Sequence, residues 1–285
     1  LTAEYLVLAT DLSTRCDRAL DRALRLAREW SLRLVIVHAL PATTTADEQP
    51  SWRGSDPLES ARRHILANVG PTPGLTIDIV VERRVHPVDL VLEAASQPGC
   101  ALIVTGVARE ETISRMLLGT TLEALARRSP VPVLEVKQRP HEDYRHIVVA
   151  TDFSAPSRRA LEVALERFPA ARLTLLHGYR PAHESHSVDT TAARDTARRE
   201  AIAQSQEFIA AIPGAQATLQ RIEQLCEYGD PGMLLADMAE ARPLQLVVLG
   251  TAGRSGLAGL VLGSTAIRIA AEVPADILLV RQASA

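Results

Sequence analysis

Four residues near the end of the chain have the types and spacing to hold an anion. Gly250, Gly253, Gly263 and Ser264 form the pattern G-x2-G-x9-G-S. Gly250 closes the apolar run LQLVVLG, where the lack of a side chain lets the backbone leave a sheet without obstructing the crevice beyond it. Gly253 then opens room for backbone amides. Gly263 and Ser264 stand just before a run of helical character, 265–271, so the serine could cap that helix while its first amides face a phosphate. Arg254 and Ser255 are the nearest mobile polar groups for a phosphate tail. Such a cradle needs no lysine, and the chain has a single one, Lys137, which excludes a P-loop. The competing reading is a set of turns that serve the connection from strand to helix and nothing else.

Asp152 follows the run VVA as Gly250 follows VVL, which places both at the carboxyl ends of strands. Ligands of open α/β sheets bind outside those ends, where strand order reverses. A carboxylate there suits hydrogen-bond donors of a base or sugar and would repel phosphate, which assigns Asp152 to a nucleoside end. Asp11 and Asp152 could equally be turn or helix-cap carboxylates, as could Ser13 and Ser154. His38 and His177 end the second strand of each copy and read as structural histidines. His183 and His186 lack a third ligand for a metal. Gly253–Gly256 resembles the start of a nucleophile elbow, but Leu257 stands at its final glycine. The arginine runs 194–199 and 127–128 read as solvated helix faces. Cys226 has no adjacent cation in sequence to activate it.

The elements that must carry these residues occur twice. Residues 5–24 recur at 146–165, with Asp11 matching Asp152, and the segment from Gly106 recurs from Gly250, with Gly119 matching Gly263. Collinear echoes of this kind imply duplication of a whole domain. The expected domains are 1–138 and 145–285, joined by the polar run 138–144 with Pro140. In each, β-branched runs alternate with helical-period segments, the pattern of a parallel sheet covered by helices on both faces. The expected fold is therefore α/β, two tandem doubly wound five-stranded parallel sheets of order 3-2-1-4-5, related by a pseudo-two-fold. Strands of the second copy are expected near 146–151, 172–178, 216–224, 245–250 and 276–281. Ala19, Leu20, Ala23, Leu24, Ala27 and Trp30 give the first helix an apolar face, repeated by Ala160, Leu161, Ala164 and Leu165. Segments 41–57 and 179–190 read as long loops. The apolar edges 133–136 and 277–280 invite pairing into an intrachain pseudo-dimer, and further homodimerisation stays open.

Bulk properties narrow the function classes. The chain has 285 residues, enough for two domains, with 47% hydrophobic and 23% charged residues and a net charge of -3. That charge argues against a nucleic-acid partner, and no apolar run is long enough for a membrane span. Three widely spaced cysteines, Cys16, Cys100 and Cys226, suggest neither disulfides nor zinc and fit a cytoplasmic setting. The start, LTAEYLVLATD, reads as a first strand and not as a signal peptide.

The stretches VVATDFS, LLHG, EYGDPG, VVLGTAGRSGL and LGSTA resemble the universal stress protein family, in two copies over essentially the whole chain. The resemblance implies an adenine nucleotide, ATP with or without Mg, as cofactor. It implies that Ala150, Asp152 and Gly178 contact adenine, and that Leu249, Gly250, Gly253, Arg254, Gly263, Ser264 and Thr265 hold ribose and phosphates. The first copy keeps Asp11, Gly106, Gly119 and Thr120 but has Arg109 where Gly253 stands, so its site is expected to be degenerate unless Arg109 itself grips an anion. In the second copy, Ala275-Asp276 replaces Val131-Pro132, an ending similar to that of family members that do not bind ATP. The first functional hypothesis is a stress-response regulator whose second domain binds ATP and orders residues 253–262. With no evident general base or metal-binding carboxylate pair, it would be at most a slow ATPase. The alternative is an adaptor that binds an unknown protein partner without nucleotide, favoured by Arg109 and Asp276. An adenylating enzyme is the weakest option, since no acceptor site is evident.

Overall fold

The computed structural model describes residues 3–42, 56–107, 120–181, 190–212, 219–251 and 262–282. The chain divides into two compact units, which separate near residues 143 and 144. The first contains β1 (Tyr5–Ala9), α1 (Asp17–Glu29), β2 (Arg33–Pro41), α2 (Pro57–Val69), β3 (Ile77–Arg84), α3 (Pro87–Ala95), β4 (Cys100–Gly106), α4 (Thr120–Arg128) and β5 (Val133–Val136). The second contains β6 (His146–Ala150), α5 (Ala155–Arg167), β7 (Arg172–Tyr179), α6 (Thr190–Ala210), β8 (Ile222–Tyr228), α7 (Pro231–Ala241), β9 (Leu246–Gly250), α8 (Ser264–Glu272) and β10 (Asp276–Val280). Within the first unit the strands run in the order β3-β2-β1-β4-β5, and within the second β8-β7-β6-β9-β10. The strand pairings inside each unit are parallel, so both follow the expected order 3-2-1-4-5.

The central strands are apolar throughout because helices cover both sheet faces. Tyr5–Ala9 and Leu246–Leu249 are buried along their whole length. The expected helix face is also the buried one: Ala19, Ala23, Leu24 and Ala27 on α1, and Ala160, Leu161 and Ala164 on α5, are shielded from solvent. Trp30, the C-cap of α1, is half-buried. Residues 137–143 do not hang free. Arg18 and Arg22 donate to the carbonyls of Lys137 and Glu142, and Arg25 pairs with Asp143 at 2.8 Å. These three arginines recur at helical spacing, so one side of α1 holds the whole run.

The third strand of the second unit begins later than the sequence suggests. Leu219–Arg221 forms a single 3₁₀ turn and the strand is Ile222–Tyr228, while 216–218 lie outside the described residues. The reason is its edge position: only Ile222 and Cys226 are buried, so the alternation that marks a half-covered strand is faint. The shift carries the strand on to Tyr228, which delivers Gly229, Asp230 and Pro231 to the carboxyl edge of the sheet. Segments 43–55 and 182–189, the cores of the two expected loops, lie outside the described residues.

Candidate functional site

Strands β6 and β9 are sheet neighbours whose chains leave in opposite directions, β6 toward β7 and β8, β9 toward β10. A crevice must open above such a reversal, because the connecting helices cross to opposite faces. A cavity of about 310 Å³ lies there, lined by Ala150, Asp152 and Gly178 on one side and Leu249, Gly250, Gly263, Ser264 and Thr265 on the other. That is the lower end of the range for small-molecule sites, roughly 300–1,000 Å³. The structure thus brings eight of the ten expected residues around one hollow. Gly253 and Arg254 lie outside the described residues.

The loop after β6 is built by short polar side chains. Asp152 Oδ1 accepts the Ser154 amide at 3.1 Å, closing an Asx turn, while the carboxylate also lines the cavity. Turn residue and site residue are therefore one role and not two alternatives. Phe153 is forced to a φ of 63° by this turn, in a region that bulky residues avoid. Its ring is pinned 4.3 Å from His177 and 5.5 Å from Phe208. His177 Nδ1 sits 2.8 Å from the Thr151 carbonyl, so that nitrogen must carry the proton, and His38 repeats the contact with Thr10. Thr151, Ser157, His177, Pro231, Ala266 and Ile269 also line the cavity. The signal for Ser157 was its place in the repeat, opposite Cys16; nothing local marked Ala266 or Ile269.

Two glycines serve packing as well as ligand access. A Cβ on Gly250 would lie 2.8 Å from the Pro156 carbonyl carbon and 2.9 Å from the Ser157 nitrogen, so its absence lets α5 start directly against β9. A Cβ on Gly178 would lie 2.8 Å from the Gly229 carbonyl oxygen. Gly250 also lines the cavity, so packing against α5 adds a second reason for glycine there.

The α8 end of the cavity also differs in detail from the expectation. Gly263, not Ser264, is the N-cap of α8, and Ser264 is the first helical residue. The Gly263 amide is already used, donating to the Thr251 carbonyl at 2.8 Å. The first intrahelical bond is from Ile267 to the Gly263 carbonyl, which leaves the amides of Ser264, Thr265 and Ala266 without a backbone partner among the described residues. These three, on a helix whose dipole is positive at this end, border the cavity.

The rim is braced from α7. Asp230 accepts the amides of Gly232 and Met233 as the α7 N-cap and pairs with Arg268 of α8. Burial opposes its ionisation, but the Arg268 guanidinium and the two amides outweigh burial and hold the carboxyl below its usual range. With the folded-state value depressed, this bracing is present at neutral pH and fades as pH falls through the folded value. Asp230→Ala should cost about 1–2 kcal/mol in urea unfolding at neutral pH, and the gap to the unmodified protein should narrow in acid, as pH falls below the usual carboxylate range. An equal gap at both pH values would contradict the ionised brace.

In the first unit, Asp11 accepts the Ser13 amide at 2.9 Å, and Cys16, in the place of Ser157, directs its Sγ at the same carboxylate at 3.1 Å. Burial pushes the Cys16 thiol up. A Cβ on Gly106 would lie 3.1 Å from the Arg15 carbonyl oxygen, tight but less so than the Gly250 contact. Beside Thr10, Leu12 and Cys16 lies a cleft of about 20 Å³. Thr120 opens α4, and Arg109 and Gly119 lie outside the described residues. Asp276 has nothing to do with either crevice. It is fully buried at the start of β10, where the Tyr144 hydroxyl donates to it, at the opposite end of the strand from the cavity.

Fold and site together define a duplicated doubly wound α/β protein with a small-ligand crevice at the topological switch point of its second unit. The sequence profile of the universal stress protein family matches residues 4–137 and again 143–281, and the chain belongs to that family. It is 26% identical to a universal stress protein of Mycolicibacterium smegmatis over 98% of this chain and 97% of that one. Universal stress protein E of Escherichia coli is 24% identical over 82% of this chain and 78% of its own. A solved universal stress protein from Archaeoglobus fulgidus superposes with a TM-score of 0.67 at 17% identity, covering 99% of this chain and 98% of that one, which concerns the fold alone. No described helix is long and apolar enough to cross a membrane.

Proposed function

We propose that this is a stress-response regulator that binds an adenine nucleotide, ATP by preference, in the crevice of its second unit, and that it acts in the cytoplasm. The observation that carries this reading is the convergence on a single cavity of one carboxylate and three helix-terminal amides that have no backbone partner among the described residues. Phosphates would bind at Ser264, Thr265 and Ala266, where amide donors and the helix dipole both favour negative charge. Asp152 repels phosphate and accepts donors, so adenine and ribose would occupy the side of Ala150, Asp152 and Gly178. By the family resemblance, Gly253 and Arg254 would add to the phosphate contacts. Mg would ride on the phosphates, since Asp152 is the only carboxylate among the described lining residues. Hydrolysis would be slow or absent, since no second carboxylate lines the cavity among the described residues to activate water.

Acid extraction of freshly purified full-length protein, followed by chromatography, is expected to release stoichiometric adenine nucleotide. Gly253→Arg, which copies the first unit's residue into the second, should release none while melting at the same temperature. Protein that carries no nucleotide and binds none in titration would leave the adaptor reading in its place.

A further inference from the structure

A second hollow lies at the other end of the second unit's sheet, about 810 Å³ in volume and open to solvent. It is lined by His146, Arg172, Arg221 and Arg242, with Glu223 as the single carboxylate among its lining residues. The strand register explains the clustering. His146 pairs with Arg172, and Leu173 with Ile222, so Arg172 stands opposite Arg221 one step earlier. Three basic residues therefore form a row across three adjacent strand starts, spanning about 10 Å. Like charges directly opposite one another in a sheet are destabilising unless something neutralises them.

The first unit shows what neutralisation looks like. The corresponding row is Tyr5, Arg33 and Thr76, and its one arginine pairs with Asp78 at 2.8 Å and lies 5.2 Å above the Tyr5 ring. In the second unit the residue in the place of Asp78 is Glu223, but its Oε2 accepts the Thr174 hydroxyl at 3.1 Å. Arg172, Arg221 and Arg242 form no ion pair among the described residues. Arg221 is held rigid by three bonds to the carbonyls of Phe168 and Ala171. The hollow thus combines one fixed guanidinium with two exposed ones, of which that of Arg242 also donates to the Met238 sulfur at 3.3 Å.

We propose that this hollow is a docking site for an extended acidic segment of a partner protein. The cations are spread too widely for one phosphate to span. Carboxylates two residues apart on an extended chain are about 7 Å apart, and the long side chain of exposed Arg172 can take up the difference from strand starts about 5 Å apart, so that it and the fixed Arg221 meet successive carboxylates. The open, polar lining also suits a peptide laid across the surface more than an enclosed small molecule. The site is independent of the nucleotide crevice, which lies at the carboxyl ends of the same strands.

Fluorescence anisotropy with a fluorescein-labelled peptide of alternating Glu and Ser tests this on the full-length protein. Binding is expected at low salt, weakened about tenfold by Arg172→Glu and further by adding Arg242→Glu. Arg63→Glu, an equal charge change on α2, should leave affinity within about twofold, because the effect would then be bulk charge alone. Absence of binding, equal loss in Arg63→Glu, or unchanged binding in the double variant would overturn the proposal. So would displacement of the peptide by stoichiometric inorganic pyrophosphate, which would reassign the hollow to a small anion. Arg172 and Arg242 are both exposed, so unchanged circular dichroism and melting should accompany the loss.

Discussion

Gly250→Ala is expected to destabilise the second unit by about 2–3 kcal/mol, the usual cost of forcing a methyl group into filled space. The atoms in the way are the backbone of Pro156 and Ser157 at 2.8–2.9 Å, which cannot swing aside as a side-chain tip could. Relief requires the start of α5 to move off β9. That movement would shift Ser157 and the Asx turn of Asp152, so nucleotide affinity should fall together with stability. Gly106→Ala is the internal comparison, since its Cβ would have 3.1 Å to the Arg15 carbonyl and should cost about 1 kcal/mol. Calorimetry of both variants decides the matter: equal, small shifts in melting temperature would mean that Gly250 is not the contact that seats α5.

Ser264→Pro is expected to separate binding from folding. Proline is tolerated at the first position of a helix, where its missing N–H has no helical partner to lose. The preceding Gly263 has φ -62° and ψ 138°, a conformation that suits a residue before proline. Melting should therefore change little. ATP affinity, read by titration calorimetry, should drop by about ten- to a hundredfold, the worth of one hydrogen bond to a charged group. Ser264→Ala, which keeps the amide, should lose at most about threefold. A proline variant that binds ATP as well as the unmodified protein would remove the α8 terminus from the phosphate site.

Much of the fold was legible because it repeats a local rule. Ala19, Ala23, Leu24 and Ala27 mark a buried stripe by spacing alone, and the same stripe returns at Ala160, Leu161 and Ala164. β6 and β9 could be placed because buried parallel strands are apolar without interruption. β8 was misplaced because an edge strand with two buried residues carries little pattern. Within the candidate site, Ala150, Asp152, Gly178, Leu249, Gly250, Gly263, Ser264 and Thr265 line one cavity. What could not be read was the purpose of individual atoms. Gly250 has no side chain because of Pro156, the Gly263 amide is taken by Thr251, and Asp276 faces Tyr144 away from the crevice.

By itself, then, the sequence determined the duplication, the parallel α/β order and the points where a backbone without side chains was required, all of them consequences of periodicity and local conformational freedom. Tertiary structure alone decided which donors remain for a ligand and which charges stay without counterions. An amide or a guanidinium is satisfied by groups brought to it from distant parts of the chain, and that pairing is set by strand register and helix seating.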